Sequence, residues 1–182
     1  MLTPNIWVKK FKGIISFIFY QNINKEHILT ISRQSLLFNF YILKKHFLFQ
    51  YSILTCISGI DLLEKSYRFC ISYDLLSVTF NTRLRIKVFI DEITTISTLY
   101  TIFINSNWWE REVWDLFGIY FFGHPDLRRI LTDYGFEGYP LRKDFPLSGY
   151  VELHYDLKKK RIISTPVELA QEFRSFNFET PW

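Results

Sequence analysis

Two stretches of strict alternation constrain the fold of this chain most. In the first, Tyr67, Phe69, Ile71 and Tyr73 share one face and Arg68, Cys70 and Ser72 the other. In the second, Leu84, Ile86, Val88 and Ile90 alternate with Arg83, Arg85, Lys87 and Phe89. Side chains on a strand point to opposite faces with period two, so each stretch predicts a strand with one apolar face. Joined through residues 74–82, with Val78–Phe80 extending the second strand, they predict an antiparallel pair.

Other elements follow from spacing. Ser32 is placed to cap a helix over 33–47, where Leu36, Phe40, Leu43 and Phe47 fall on one stripe. His27–Ile31 reads as a short strand, and the apolar, β-branched run Ser52–Ile60 as a buried one. Thr94–Ile104 reads as a helix with Ile96, Tyr100 and Phe103 inward. A further helix spans Trp108–Phe117, with Trp109, Val113, Leu116 and Phe117 on its stripe and Gly118 as its stop. The fold class is α+β: a small mixed or antiparallel sheet with helices packed on one face.

From Gly123 the pattern changes. Gly123, Pro125, Gly135, Gly138, Pro140, Pro146 and Gly149 recur too often for long elements. Apart from a helical turn or two within Asp126–Leu131, this predicts a long, extended C-terminal segment. Its rings (Tyr134, Phe136, Tyr139, Phe145, Tyr150, Tyr155) need a surface to cover them, and another polypeptide is the expected cover. The organisation expected is a basic N-terminal segment 1–24, a globular α/β domain 25–122 and a partner-docking segment 123–182.

Charge sharpens the division. Residues 1–50 carry seven Lys or Arg against one acid, Glu26, while the remainder holds fifteen bases and seventeen acids. The basic end, with Lys9, Lys10 and Lys12, suits an anionic membrane surface, an acidic partner, a transit peptide or a solvated face; we expect a retained segment. No run reaches the ~20 apolar residues that a transmembrane helix needs. Two cysteines without a CxxC spacing, Cys56 and Cys70, point to a reduced compartment. They cannot by themselves supply the four ligands of an iron–sulfur cluster.

Candidate chemistry is sparse. Glu110 and Glu112 point about 200° apart on a helix, and His124 with Asp126 forms no recognised ligand set. The simpler reading has Glu110 and Arg111 in salt bridges and His124 holding a turn. Ser148 lacks a nucleophile elbow. No GxGxxG or P-loop occurs, so neither a dinucleotide nor ATP is indicated. From His124 to Glu152 four bases face five acids, Asp126, Asp133, Glu137, Asp144 and Glu152. That balance argues against a nucleic-acid surface and suits ion pairs at a protein interface. Arg128, Arg129, Arg142, Lys143 and Asp144 are the expected charged anchors; Phe136, Phe145 and Tyr150 are the apolar ones.

The pieces EREVWDLFGI, GHPDLRRILTDYGFEGYPLRKDFPLSGYVE and the tail Pro166–Trp182 resemble the 30 kDa subunit family of respiratory complex I, the NADH:ubiquinone oxidoreductase. The resemblance covers roughly residues 60–182, and LTDYGFEG fits the mitochondrial and proteobacterial branch. It implies a non-catalytic structural subunit of the peripheral arm, supporting the quinone-reducing module on the matrix side of the mitochondrial inner membrane. It implies docking on the 49 kDa subunit, with FMN and iron–sulfur clusters held by partner subunits and none by this chain. The low-alanine, Phe- and Ile-rich composition suits an organelle-encoded gene. Three positions depart from the family: Tyr139 where His is usual, His154 where Arg is usual, and Trp109 for a common Tyr. A packing role tolerates the Tyr139 change better than proton chemistry would. The rival readings are a free-standing acid–base enzyme built on His124 and a membrane-surface module built on the N-terminal lysines.

Overall fold

The computed structural model describes residues 13–23 and 26–180. The lysines at 9, 10 and 12, and any membrane role for them, lie outside the described residues. The described chain falls into two compact units, the first ending at Lys143 and the second starting at Asp144.

The first unit is built on a five-stranded mixed sheet. In chain order its strands are β1 (Phe19–Ile23), β2 (Glu26–Thr30), β3 (Ile53–Asp61), β4 (Phe69–Ser77) and β5 (Thr82–Ile90). They lie in the order β1-β2-β5-β4-β3. All neighbours are antiparallel except β2 and β5, which run parallel. The central pair is the one expected from alternation: Ile71 faces Val88, and Tyr73 faces Ile86. Phe69, Ile71, Tyr73, Leu75, Leu84, Ile86, Val88 and Ile90 are all buried. Cys56 and Cys70 both lie on strands and are free thiols. β1 lies within the span expected to be a separate basic segment, and it forms an edge of this sheet.

Two helices cover one face of the sheet. A single 3-10 turn, Arg33–Ser35, leads into α1 (Leu36–Lys45). Leu36, Phe40 and Leu43 are fully buried, and the Phe40 ring meets Tyr73 edge-on with centroids 5.2 Å apart. Asn39 sits in the same buried stripe and is satisfied there. Its amide donates to the Ser16 carbonyl and the Ser35 hydroxyl, and its oxygen accepts from the Ser16 N–H. Phe47, expected on this stripe, is exposed. The helix stops at Lys45 and His46 takes an extended conformation, so Phe49 and Tyr51 fill the core instead.

The second helix, α2 (Ser106–Phe117), crosses β3 at Gly59. Gly59 pairs with Ile71 and so shares the face that carries Tyr73. A Cβ at Gly59 would lie 2.7 Å from Cδ2 and 2.9 Å from Cε2 of Phe117. Gly59→Ala should therefore destabilise the fold by about 1–3 kcal/mol through overpacking, read as a lowered midpoint in a denaturant melt. An unchanged midpoint would show that the helix can shift away without loss.

Two expected elements are not found. Val78–Phe80 does not extend β5: β4 runs on to Ser77, and Val78–Asn81 is the hairpin turn, with Asn81 at φ 48°. Thr94–Ile104 is not a helix. It contains β6 (Ile96–Ser97), paired in parallel with β7 (Phe121–Phe122), followed by turns. The β-branched run around Ile96 favours extended backbone. Beyond it, the Leu99 N–H is taken by the Glu110 carboxylate and is unavailable to a helix. Ile96 and Phe103 are buried all the same.

The second unit contains one hairpin, β8 (Val151–Asp156) with β9 (Arg161–Pro166), joined by a turn in which Lys160 adopts φ 51°. A long extended segment is expected from residue 123; the structure has turns and a hairpin there. Residues 123–143 run as turns within the first unit, and residues 151–166 form this hairpin.

Candidate functional site

The chemistry-bearing side chains gather around α2 and the irregular chain that follows it. Gly118 ends the helix in the left-handed conformation, φ 77°, and its N–H bonds to the Trp114 carbonyl. From there two buried carboxylates of the helix organise their surroundings in different ways.

Glu110 lies on the buried stripe with Ser106, Val113 and Phe117. It makes no salt bridge to a neighbouring Arg. One carboxylate oxygen accepts the Leu99 N–H at 2.7 Å and the other accepts the Thr98 hydroxyl. His124 Nε2 is 3.9 Å from Glu110, with both side chains fully shut from solvent. The hydrogen bonds assign the tautomer: Nε2–H donates to the Asn107 carbonyl at 3.3 Å, and Nδ1 accepts the Asp126 N–H at 3.1 Å. His124 therefore holds a turn, as expected. Burial pushes the Glu110 carboxyl up to about 6 against the pull of the Thr98 and Leu99 donors. Burial also lowers the His124 pKa. The β6–β7 pairing brings Glu110 and His124 together, in a closed position that a substrate does not reach.

Asp115 is the second buried carboxylate, and it builds a cage. One oxygen accepts the N–H groups of Ile130, Leu131 and Thr132 at 3.1, 2.7 and 3.0 Å. The other accepts the Thr132 hydroxyl at 2.6 Å and the Arg129 guanidinium at 3.2 Å. Burial raises the Asp115 pKa, but the Thr132 hydroxyl and the three backbone donors outweigh it and hold the carboxyl below its ordinary value. The helical turn expected over Asp126–Leu131 does not form. Three consecutive N–H groups converge on one carboxylate oxygen instead.

The expected anchors divide into two groups. Arg129 and Arg142 act within the chain. Arg129 also donates to the Gly138 carbonyl at 2.9 Å and lies over the rings of Phe136 and Tyr139. Arg142 donates to the Phe117 carbonyl at 2.7 Å, pairs with Glu92, and lies over Tyr139 and Phe69. Next to it, the Lys143 N–H bonds to buried Asp61, which also holds Arg68. Burial raises the Asp61 pKa, yet Arg68 and the Lys143 N–H bring it below the usual value. The side chains of Arg128 and Lys143 lie on the surface, with Arg128 paired to Asp126 at 3.1 Å. Phe136 is half-buried. Tyr139 packs edge-on against Trp114, with centroids 5.9 Å apart.

In the second unit Asp144 and Tyr150 are exposed, and Phe145 is half-buried with its ring edge-on to Tyr150 at 5.3 Å. The hairpin is amphipathic. Val151, Leu153, Tyr155 and Ile162 line one face, with 57% to 69% of each residue exposed, and Glu152, His154, Asp156 and Arg161 line the other. Leu147, Leu157, Leu169, Phe173, Phe176 and Phe178 are exposed as well. Among the described residues no group of three or more His, Cys, Asp or Glu is placed to hold a metal, and no helix is long and apolar enough to cross a membrane.

The membrane-bound sulfane sulfur reductase, an archaeal respiratory membrane complex, contains a chain of similar fold, with TM-score 0.71 and 20% identity over 98% of this chain and 99% of that one. The NADH-ubiquinone oxidoreductase subunit 9 of Reclinomonas americana is 56% identical over 78% of this chain and 69% of its own length. The NADH dehydrogenase [ubiquinone] iron-sulfur protein 3 of Beta trigyna is 54% identical over 77% of this chain and 73% of its own length. Residues 29–151 match the family described as the respiratory-chain NADH dehydrogenase, 30 Kd subunit, and the chain belongs to that family.

Proposed function

We propose that this chain is a non-catalytic structural subunit of the peripheral arm of proton-pumping NADH:ubiquinone oxidoreductase. In this reading it supports the quinone-reducing module on the matrix side of the mitochondrial inner membrane, and it takes part in NADH oxidation only through the complex. The observation that carries the reading is the second unit. A small unit with most of its large apolar side chains in water, including one whole face of a hairpin, is built to be covered by another protein. The 49 kDa subunit is the proposed cover. The buried carboxylates support the same reading, since their bonds shape the backbone. FMN and iron–sulfur clusters belong in this proposal to partner subunits. Cys56 lies opposite Asp74 and Cys70 opposite Ile60 on adjacent strands, and two thiolates do not complete a cluster.

Truncation tests the reading. A cut after Gly123 would remove the partners of Asp115 and Asp61, so the informative cut lies after Lys143. The truncated chain should keep the first unit folded and run free of the large NADH-oxidising band on a native gel. Normal migration with that band would refute the assignment of the second unit as the docking element.

A further inference from the structure

The turn Asp133–Gly138 belongs to the first unit. Its central residue, Tyr134, is fully exposed, the most exposed of the large aromatic side chains described. A tyrosine left wholly in water at the tip of a turn has no role in folding the chain. Yet this turn is held firmly. Upstream, Asp115 fixes Ile130, Leu131 and Thr132. Downstream, Arg129 bonds to the Gly138 carbonyl and lies over Phe136 at 5.8 Å, closing the base. Within the turn, the Tyr134 N–H bonds to the Asp133 carboxylate at 2.8 Å and the Phe136 N–H to the Asp133 carbonyl at 3.1 Å. Gly135 and Gly138 supply the left-handed conformations the turn needs, at φ 73° and 92°. A rigid loop bearing one exposed aromatic has little ordering entropy left to lose on binding, which is how an interface anchor is made.

We propose that Tyr134 inserts into an apolar pocket on a partner subunit whose rim is basic. The charge of the turn sets the rim. Asp133 and Glu137 flank the ring, both are exposed, and no basic residue lies between Asp133 and Gly138. Complementary charge on the partner is therefore lysine or arginine. Leu131, also exposed, adds apolar surface at the foot of the loop. This inference rests on the reading of the chain as a subunit of a larger assembly.

Nitration by tetranitromethane of the native complex and of the free full-length chain tests it without any substitution. Tyr134 should be among the fastest tyrosines to react in the free chain and should be protected at least about tenfold in the complex, as expected for a ring buried at an anchor position. Equal nitration in both states would overturn the proposal while leaving the subunit reading intact. Absence of the chain from the complex would overturn both. In a second measurement, Tyr134→Ala and Glu137→Lys should each raise the fraction of chain released by a salt wash, whereas Tyr134→Phe should behave nearly as the parent. Release unchanged by Tyr134→Ala would overturn the anchor.

Discussion

Asp115→Ala should lower the stability of the chain by about 3–5 kcal/mol, the range for removing one partner from a buried, charge-assisted network. Five hydrogen bonds converge on this one carboxylate, three from consecutive backbone N–H groups. Without it those donors have no replacement close by, and Arg129 loses its buried partner. The loss should be sharpest locally. Amide exchange at Ile130, Leu131 and Thr132 should accelerate towards that of an open loop, while the central strands β4 and β5 follow only the global change. Asp115→Asn should fall between parent and alanine, because the amide keeps one acceptor but turns an NH2 group towards donors. The pH dependence has a definite sign. The folded pKa of Asp115 is depressed, so its contribution is present above the unfolded carboxylate pKa and is lost as pH falls through the lower folded value. A denaturant midpoint for Asp115→Ala within experimental error of the parent, together with unchanged exchange at 130–132, would show that the cage is not what holds the loop.

This result also bears on what was legible in the sequence. The central hairpin was readable because its residues alternate strictly over Phe69–Tyr73 and Leu84–Ile90, although Tyr67, expected on the same face, is exposed and lies before β4. Stripes on α1 and α2 were readable for the same reason. Glu110 was expected in a salt bridge because an acid inside an amphipathic helix is ordinarily on the wet side. The signal was nevertheless present: Glu110 stands three residues before Val113 and seven before Phe117, which puts it on their stripe. What periodicity could not supply was the identity of the donors, which come from turns at Leu99 and Thr132 whose positions depend on the fold. The helix expected over 94–104 failed for the same reason, since apolar spacing alone does not reveal that a distant carboxylate claims the backbone. Arg129 and Arg142 were expected to face a partner because Arg and aromatic residues mark interfaces. Here each arginine lies over rings of its own chain, Tyr139 among them. A tyrosine at position 139 suits such stacking, and its neighbours are packing groups throughout. The hairpin went unseen because Gly and Pro on either side of it masked a six-residue alternation, Val151 to Asp156, that is as regular as the one in β5.

Glu110→Gln is expected to act in the opposite direction from Asp115→Ala. Burial raises the folded pKa of Glu110 to about 6, above the ordinary 4.5. A raised folded pKa means that the native state holds the proton more tightly than the unfolded chain does. The associated stabilisation is complete below about pH 4.5 and is lost as pH rises through about 6. Relative to the parent, Glu110→Gln should thus gain about 2 kcal/mol between pH 4.5 and pH 7, the equivalent of roughly 1.5 pKa units. Glutamine can still accept the Leu99 N–H through its oxygen, and the Thr98 hydroxyl can reverse to accept from its amide. Glu110→Ala cannot do either; it leaves the Leu99 N–H buried and a void behind, and should be destabilising at every pH. His124 complicates the parent's own curve. Its pKa is lowered by burial, so its titration removes stability as pH falls below the ordinary histidine value, opposite in sign to Glu110. The two groups are 3.9 Å apart. Repeating the comparison in a His124→Asn background removes the histidine's contribution: the gain from Glu110→Gln between pH 4.5 and 7 should survive there. A stability difference between Glu110→Gln and its parent that stays flat with pH in both backgrounds would mean that the buried carboxyl is ionised throughout, with the Thr98 and Leu99 donors outweighing desolvation.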